Sequence, residues 1–281
     1  MKHLMLLLLP LLLTTCQQQS TTFSSITMCH DSNSAVARFA SLADDPAFIN
    51  AHPNPEAVEL TKKGKMIEFP VAGGPNGRAF FVKARKKTNK YLLVFQEYWG
   101  LNDYVKNEAA AWKKDLNINV LAIDLYDGKL AKTSEEAGKL MQANDPARSA
   151  ALINGAMQYA GPQADFRTIG WCFGGGWSLQ AAMLAGPRAK ACVMFYGMPE
   201  TDVTKLRNLN TDVLYIHADK DQWLTEQVAT DFEKNMKSAG KSLTVKHYDA
   251  DHAFANPSSP KYDAADAQAA RAVAKAYLMG K

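Results

Sequence analysis

Cys172 lies in Gly170-Trp171-Cys172-Phe173-Gly174, and a cysteine so flanked can attack a carbonyl carbon if a bend in the backbone presents its sulfur. The preceding run, Phe166-Arg167-Thr168-Ile169-Gly170, reads as a short buried strand, and Gly175 to Ala185 reads as a helix ended by Gly186-Pro187. Strand, tight turn and helix form the setting in which a G-x-S-x-G nucleophile operates. The glycines permit the turn and let the helix approach neighbouring strands. At a helix start, unpaired N–H groups and the helix dipole favour a thiolate.

The partners of such a nucleophile follow it in the chain, acid first and then histidine. Two apolar runs come after Cys172, Asp212 to His217 and Leu243 to Tyr248, each ending in polar residues. Groups beyond the carboxyl ends of strands in an open α/β sheet gather at one edge. His252 is therefore expected to take the thiol proton, while an aspartate after the first run holds its imidazole in the useful tautomer. Periodicity does not separate Asp221 from Asp219, and Asp251 reads either as a turn cap or as a competitor for the same role. His217 and His247 fall inside the strand runs and read as packed or sheet-face residues. His3 lies in the leader, and His30 and His52 precede the first credible strand.

Upstream, Tyr91 to Phe95 is an apolar strand leading into Gln96-Glu97-Tyr98-Trp99-Gly100, with Asp103 expected to cap a helix through Trp112. Glu97 reads either as a solvated loop carboxylate or as a group that reaches into the site and controls the ionisation of Cys172. The backbone N–H groups of Tyr98 and Phe173 would form an oxyanion hole.

The chain resembles the dienelactone hydrolase family. The resemblance rests on Gln96 to Gly100, Asp124-Leu125-Tyr126, Gly170 to Gly175, Lys220 to Trp223 and Asp251 to Phe254, in the family's order and spacing. It implies an α/β-hydrolase fold, a mostly parallel sheet flanked by helices, carrying a Cys172-Asp221-His252 triad. It selects Asp221 over Asp219. It also implies that Glu97 holds the resting cysteine and takes its proton when substrate draws the thiolate into line. Members acting on dienelactone carry two arginines for the substrate carboxylate; the corresponding neighbourhoods here read Asp127-Gly128-Lys129 and Ala255-Asn256-Pro257. Asparagine cannot form a bidentate charged clamp, and lysine is a looser point charge.

The reaction expected is hydrolysis of an ester or lactone through a thioester, without cofactor or metal. A thiol-dependent acyltransferase or peptidase, or a binding protein that kept the fold, are the alternatives.

The elements needed to position these groups are legible as alternating patterns. Ser34 to Asn50 is helix-like, with Ala35, Phe39, Leu42 and Phe48 facing the domain. Met66 to Pro70 and Arg78 to Lys83 read as paired strands, and Asn119 to Asp124 as a core strand. Helices are expected over 134–143, 146–160, 225–239 and 263–279. With 281 residues and 47% hydrophobic content, one sizeable core is expected, with the catalytic domain over 65–281. A net charge of +4, without a basic stripe interleaved with aromatics, gives no sign of nucleic-acid binding.

Residues 1–16 carry a short basic start and the apolar run Leu4 to Leu13, which reads as a secretion signal, too short for a membrane span. Leu13-Thr14-Thr15-Cys16 resembles a lipobox, with Cys16 as a lipid anchor; Thr15 is not the usual small residue there, so simple cleavage is the alternative. The expected location is the cell envelope, with 17–64 as polar tether and helical extension. Of the other cysteines, Cys192 sits in an apolar run and reads as inert core, while Cys29-His30 is a weak metal signal. Four cysteines, one of them lipidated, would not make a conventional disulfide framework.

Overall fold

Apolar runs bounded by turn residues become eight strands of a single sheet in the computed structural model, which describes residues 34–60 and 63–281. They are β1 Lys65–Phe69, β2 Gly77–Val82, β3 Lys90–Phe95, β4 Asn119–Ile123, β5 Asp165–Trp171, β6 Ala189–Phe195, β7 Val213–Ala218 and β8 Leu243–Tyr248. The order across the sheet is β1-β2-β4-β3-β5-β6-β7-β8. The β1–β2 and β2–β4 pairs are antiparallel and every other pair is parallel. Strands β4 to β7 are buried almost throughout, as expected where helices cover both faces of a parallel sheet. Edge strand β8 alternates instead.

The helices are α1 Ala35–Ala40, α2 Pro46–Asn50, α3 Asp103–Leu116, α4 Ser134–Gln142, α5 Pro146–Ala160, α6 Phe173–Ala185, α7 Val203–Leu206, α8 Glu226–Ser238 and α9 Ala264–Met279. Helix α6 is almost wholly buried, which suits its apolar circumference.

Several boundaries differ from the sequence expectation. The stretch 34–50 is two short helices joined by a 3-10 turn, because Asp45 caps a new helix whose first residue is Pro46. Helix α3 is capped by Asn102, whose side chain accepts the Val105 N–H at 3.1 Å, and not by Asp103. It runs beyond Trp112 to Leu116 and stops at Asn117, which adopts the left-handed conformation. The packing of Ala35, Phe39 and Phe48 into the core is as expected, with Leu42 partly buried against it.

Register brings the site together. Phe95 of β3 is level with Gly170 of β5, Trp171 with Phe195 of β6, Phe195 with Ile216 of β7, and Ala218 with Tyr248 of β8. The residues just past β3, β5, β7 and β8 therefore emerge at one edge. The expectations placed on His3, Cys16, Cys29 and His30 lie outside the described residues. Among the described residues, no helix is long and apolar enough to cross a membrane.

Candidate active site

Cys172 occupies a bend that few residues tolerate. Its backbone has φ 55° and ψ −123°, immediately before α6, where strain of about 1–3 kcal/mol is usual for a residue other than glycine. The bend is held by its N–H, which donates to Phe195 O at 3.0 Å, and by the Gly175 N–H, which donates to Cys172 O at 3.0 Å. A Cβ on Gly170 would stand 2.0 Å from Gly174 O, and one on Gly174 would stand 2.4 Å from the carbonyl oxygens of Phe95 and Gln96. Only glycine fits either place. The first turn of α6 thus lies against the end of β3, beside the peptide segment that carries Glu97 and Tyr98.

The loop after β7 shapes one carboxylate for one histidine. Asp221 Oδ1 accepts N–H groups from Trp223 at 2.9 Å and Leu224 at 3.0 Å, which leaves Oδ2 aimed at His252 Nδ1, 2.5 Å away. Burial disfavours the Asp221 charge, yet His252 and the two amides outweigh it and hold the carboxyl below its usual range. Burial likewise opposes charge on His252, but Asp221 and Cys172 raise its pKa well above the ordinary imidazole value. With Nδ1 committed, the His252 Nε2 is buried and makes no hydrogen bond among the described residues.

Asp219 serves elsewhere: its Oδ1 is 2.8 Å from His247 Nδ1. Asp251 lies 3.6 Å from Lys261 Nζ. His217 is buried and His247 partly exposed, both within strands.

The sulfur of Cys172 lies within 4.8 Å of a ring nitrogen of His252 and of a ring nitrogen of His52. Cys172 is 0% and His252 4% exposed. Burial raises the thiol pKa; His252 and the Phe173 N–H work against that, while Glu97 adds to it. The Phe173 amide is thus directed at the sulfur's surroundings, where an oxyanion donor would be needed.

Glu97 is buried and its carboxyl is pushed up to about 7, chiefly by desolvation. Its Oε2 accepts the Asn256 Nδ2–H at 2.6 Å, so Asn256 ties Glu97 to the loop that carries His252. Lys129 is exposed.

His52 was not expected here. Its Nδ1 is 2.7 Å from Phe48 O, its ring meets that of His252 at a centroid separation of 5.4 Å, and its Nε2 has no hydrogen-bond partner among the described residues. Burial and the neighbouring His252 push its pKa down to about 4, so it is neutral. Its carbonyl accepts hydrogen bonds from Tyr98 Oη at 3.2 Å and from Ser134 Oγ. The Trp223 indole N–H donates to Asp45 Oδ2 at 3.0 Å, and Phe39 and Phe48 pack beside His252. The N-terminal extension therefore roofs the site. The aromatic periodicity of 34–50 signalled burial, but nothing in the pattern said against what.

A cavity of about 480 Å³ reaches the site at Glu97 and Asn256, with Trp99, Trp171 and Phe195 in its wall. Arg271 also lines it, but its guanidinium is paired with Glu108 at 2.6 Å and Asp115 at 3.0 Å and lies over the Trp112 ring. Cys192 is core, with its thiol pushed up to about 11 by burial.

The model of the Dienelactone hydrolase family matches residues 78–279. The chain belongs to that family. It is 27% identical over 205 residues to "Protein usf" of Aquifex pyrophilus, covering 69% of this chain and 87% of that protein. It is 25% identical over 235 residues to carboxymethylenebutenolidase 1 of Cupriavidus pinatubonensis, covering 79% and 93%. Among solved structures, a dienelactone hydrolase-like promiscuous phosphotriesterase from metagenomic libraries superposes with a TM-score of 0.66 at 22% identity, covering 78% of this chain and 98% of that one. The dienelactone hydrolase of Anabaena variabilis gives 0.57 at 18%, with 78% and 98% covered. The α/β-hydrolase fold and the family expected from the sequence both stand.

Proposed function

We propose that this dienelactone hydrolase-family enzyme cleaves an uncharged ester or lactone through Cys172, His252 and Asp221. The observation that carries this reading is the 2.5 Å contact between Asp221 Oδ2 and His252 Nδ1, with the free side of that imidazole turned to the sulfur of Cys172.

In the resting site burial keeps the thiol protonated, and Glu97 is the carboxylate placed to accept that proton when substrate arrives. The thiolate adds to the carbonyl carbon, and the resulting oxyanion is met by the Phe173 and Tyr98 N–H groups. The C–O bond to the leaving group breaks and His252 supplies the proton that the alcohol needs, leaving an acyl thioester on Cys172. Water then attacks with the now neutral His252 as base, the C–S bond breaks, the acid leaves, and Glu97 returns its proton to the thiolate. Asp221 stabilises the imidazolium of the first step and holds the neutral imidazole of the second in the useful tautomer.

The substrate class follows from the cavity. Its wall carries Trp99, Trp171 and Phe195, Asn256 there is neutral and bound to Glu97, and Arg271 is already neutralised by two carboxylates. These features favour an apolar or aryl acyl group. Aryl-ester turnover by purified Cys172→Ala and His252→Ala tests the assignment. Both should lose nearly all activity, and near-normal rates in either would reject it. Turnover of neutral aryl esters should exceed that of carboxylate-bearing analogues.

The leader reading is part of the same proposal: residues 1–16 direct export, with Cys16 either lipidated or removed. Fractionation and mass spectrometry of the mature N-terminus test it; an intact Met1 on a soluble cytosolic chain would refute it.

A further inference from the structure

A second group of donors lies apart from Cys172, at the open end of β7 and β8. His217 of β7 and His247 of β8 are register partners, so their side chains share one face of the parallel pair. Asp219 follows two residues after His217, and Glu226 is the first residue of α8. One donor atom from each of these four side chains lies within 4.8 Å of all the others. The separations are 2.8 Å from His247 Nδ1 to Asp219 Oδ1, 3.6 Å from His247 Nδ1 to Glu226 Oε2, 3.4 Å from His217 Nε2 to Glu226 Oε2, and 3.9 Å from His217 Nε2 to Asp219 Oδ1.

A tetrahedral zinc ion, with bonds of about 2.0–2.1 Å to nitrogen and oxygen, holds its ligand atoms about 3.3–3.4 Å apart. The four separations straddle that value. Ion pairing alone explains less. His217 is 0% exposed, yet neither of its ring nitrogens makes a hydrogen bond among the described residues. A buried imidazole without a hydrogen bond is costly, and its Nε2 faces two carboxylates across gaps that a cation between them would close.

The geometry points to a structural site for a divalent transition cation of the zinc type, held by His217, Asp219, Glu226 and His247. Two imidazoles and two carboxylates suit zinc or cobalt better than calcium or magnesium, which take oxygen ligands. The ion would bind the two ends of the loop from 219 to 226, and Asp221 lies inside that loop. Its role is to position that loop, and it takes no part in the acyl chemistry. The Cys172, His52 and His252 donors also cluster, but Cys172 and His252 already belong to the acyl-transfer site.

The site stands independently of the esterase reading, and its test does not use activity. The full chain, untagged, is titrated with Co²⁺ and followed by its visible d–d absorption, then competed with Zn²⁺. One equivalent should give the intense bands of a tetrahedral ion, and Zn²⁺ should abolish them and raise the Tm. His247→Ala and Glu226→Gln, both at exposed positions, should weaken Co²⁺ binding at least about 100-fold, and Cys172→Ala should leave it unchanged. Absence of tetrahedral bands in the unmodified chain overturns the proposal. So do bands that survive His247→Ala, or that vanish with Cys172→Ala.

Discussion

His52 and His252, from opposite ends of the described chain, meet with ring centroids 5.4 Å apart, and both turn an unbonded Nε2 toward the same buried interior. One is expected to be neutral and the other to carry the reaction's proton, because only His252 has a carboxylate behind it. The roof that delivers His52 is built on Phe39 and Phe48, both fully buried.

Removing that roof should expose the sulfur. Phe48→Ala deletes a ring that contacts His52, Tyr98, Trp223 and His252, and should lower stability by about 3–5 kcal/mol. Alkylation of Cys172 by a small thiol reagent, slow in the unmodified protein, should accelerate in this variant under conditions where it remains folded. Equal labelling rates would show that the extension does not control access.

Glu97 links activity and stability to pH with opposite signs. Transfer of the thiol proton needs the carboxylate, so kcat/KM should rise with pH through about 7, and Glu97→Gln should lose that limb. Stability runs the other way. The folded pKa lies above the unfolded one, so the folded state holds the proton longer and stability falls as pH rises from about 4.5 through about 7. Glu97→Gln should therefore be more stable at pH 8 by at most about 3 kcal/mol, with the gain vanishing near pH 4. Denaturant titrations at the two pH values check this.

Asn256 tunes the same group. Its hydrogen bond favours the Glu97 carboxylate, so Asn256→Ala should move the activity inflection to higher pH. An unmoved inflection would mean that Glu97 does not set it.

Asp221→Asn keeps the shape of the loop but cannot hold His252 in the required tautomer. It should lower kcat on the order of 10³–10⁴-fold with little change in fold, and circular dichroism with steady-state kinetics would test both halves. Asp219→Asn should cost far less turnover than Asp221→Asn, because its carboxylate meets His247 and not His252.

The strand-turn-helix around Cys172 was legible because glycine spacing, an apolar strand and a helical run all pointed the same way. Periodicity did not choose between Asp219 and Asp221. The choice depends on a turn, with the Asp221 N–H donating to Ala218 O at 3.1 Å, that returns the chain toward His252 and leaves Asp219 facing His247. The broken helix at Asp45-Pro46 was readable in principle, since proline after a capping aspartate marks a helix start. His52 was not. Its place depends on how a short extension folds over the sheet edge, a contact with no local signature. The Glu97–Asn256 bond was hidden for the same reason: a single asparagine acquires meaning only from its neighbour.

The central claim is that Cys172 becomes acylated. Rapid quenching of the enzyme with an activated, slowly deacylated aryl ester, followed by mass spectrometry of the peptide containing residue 172, reads this directly. The expected result is one acyl group on Cys172 that forms and decays at rates compatible with turnover. Full turnover with an unmodified Cys172 peptide, or an acyl group on any other residue, would contradict it.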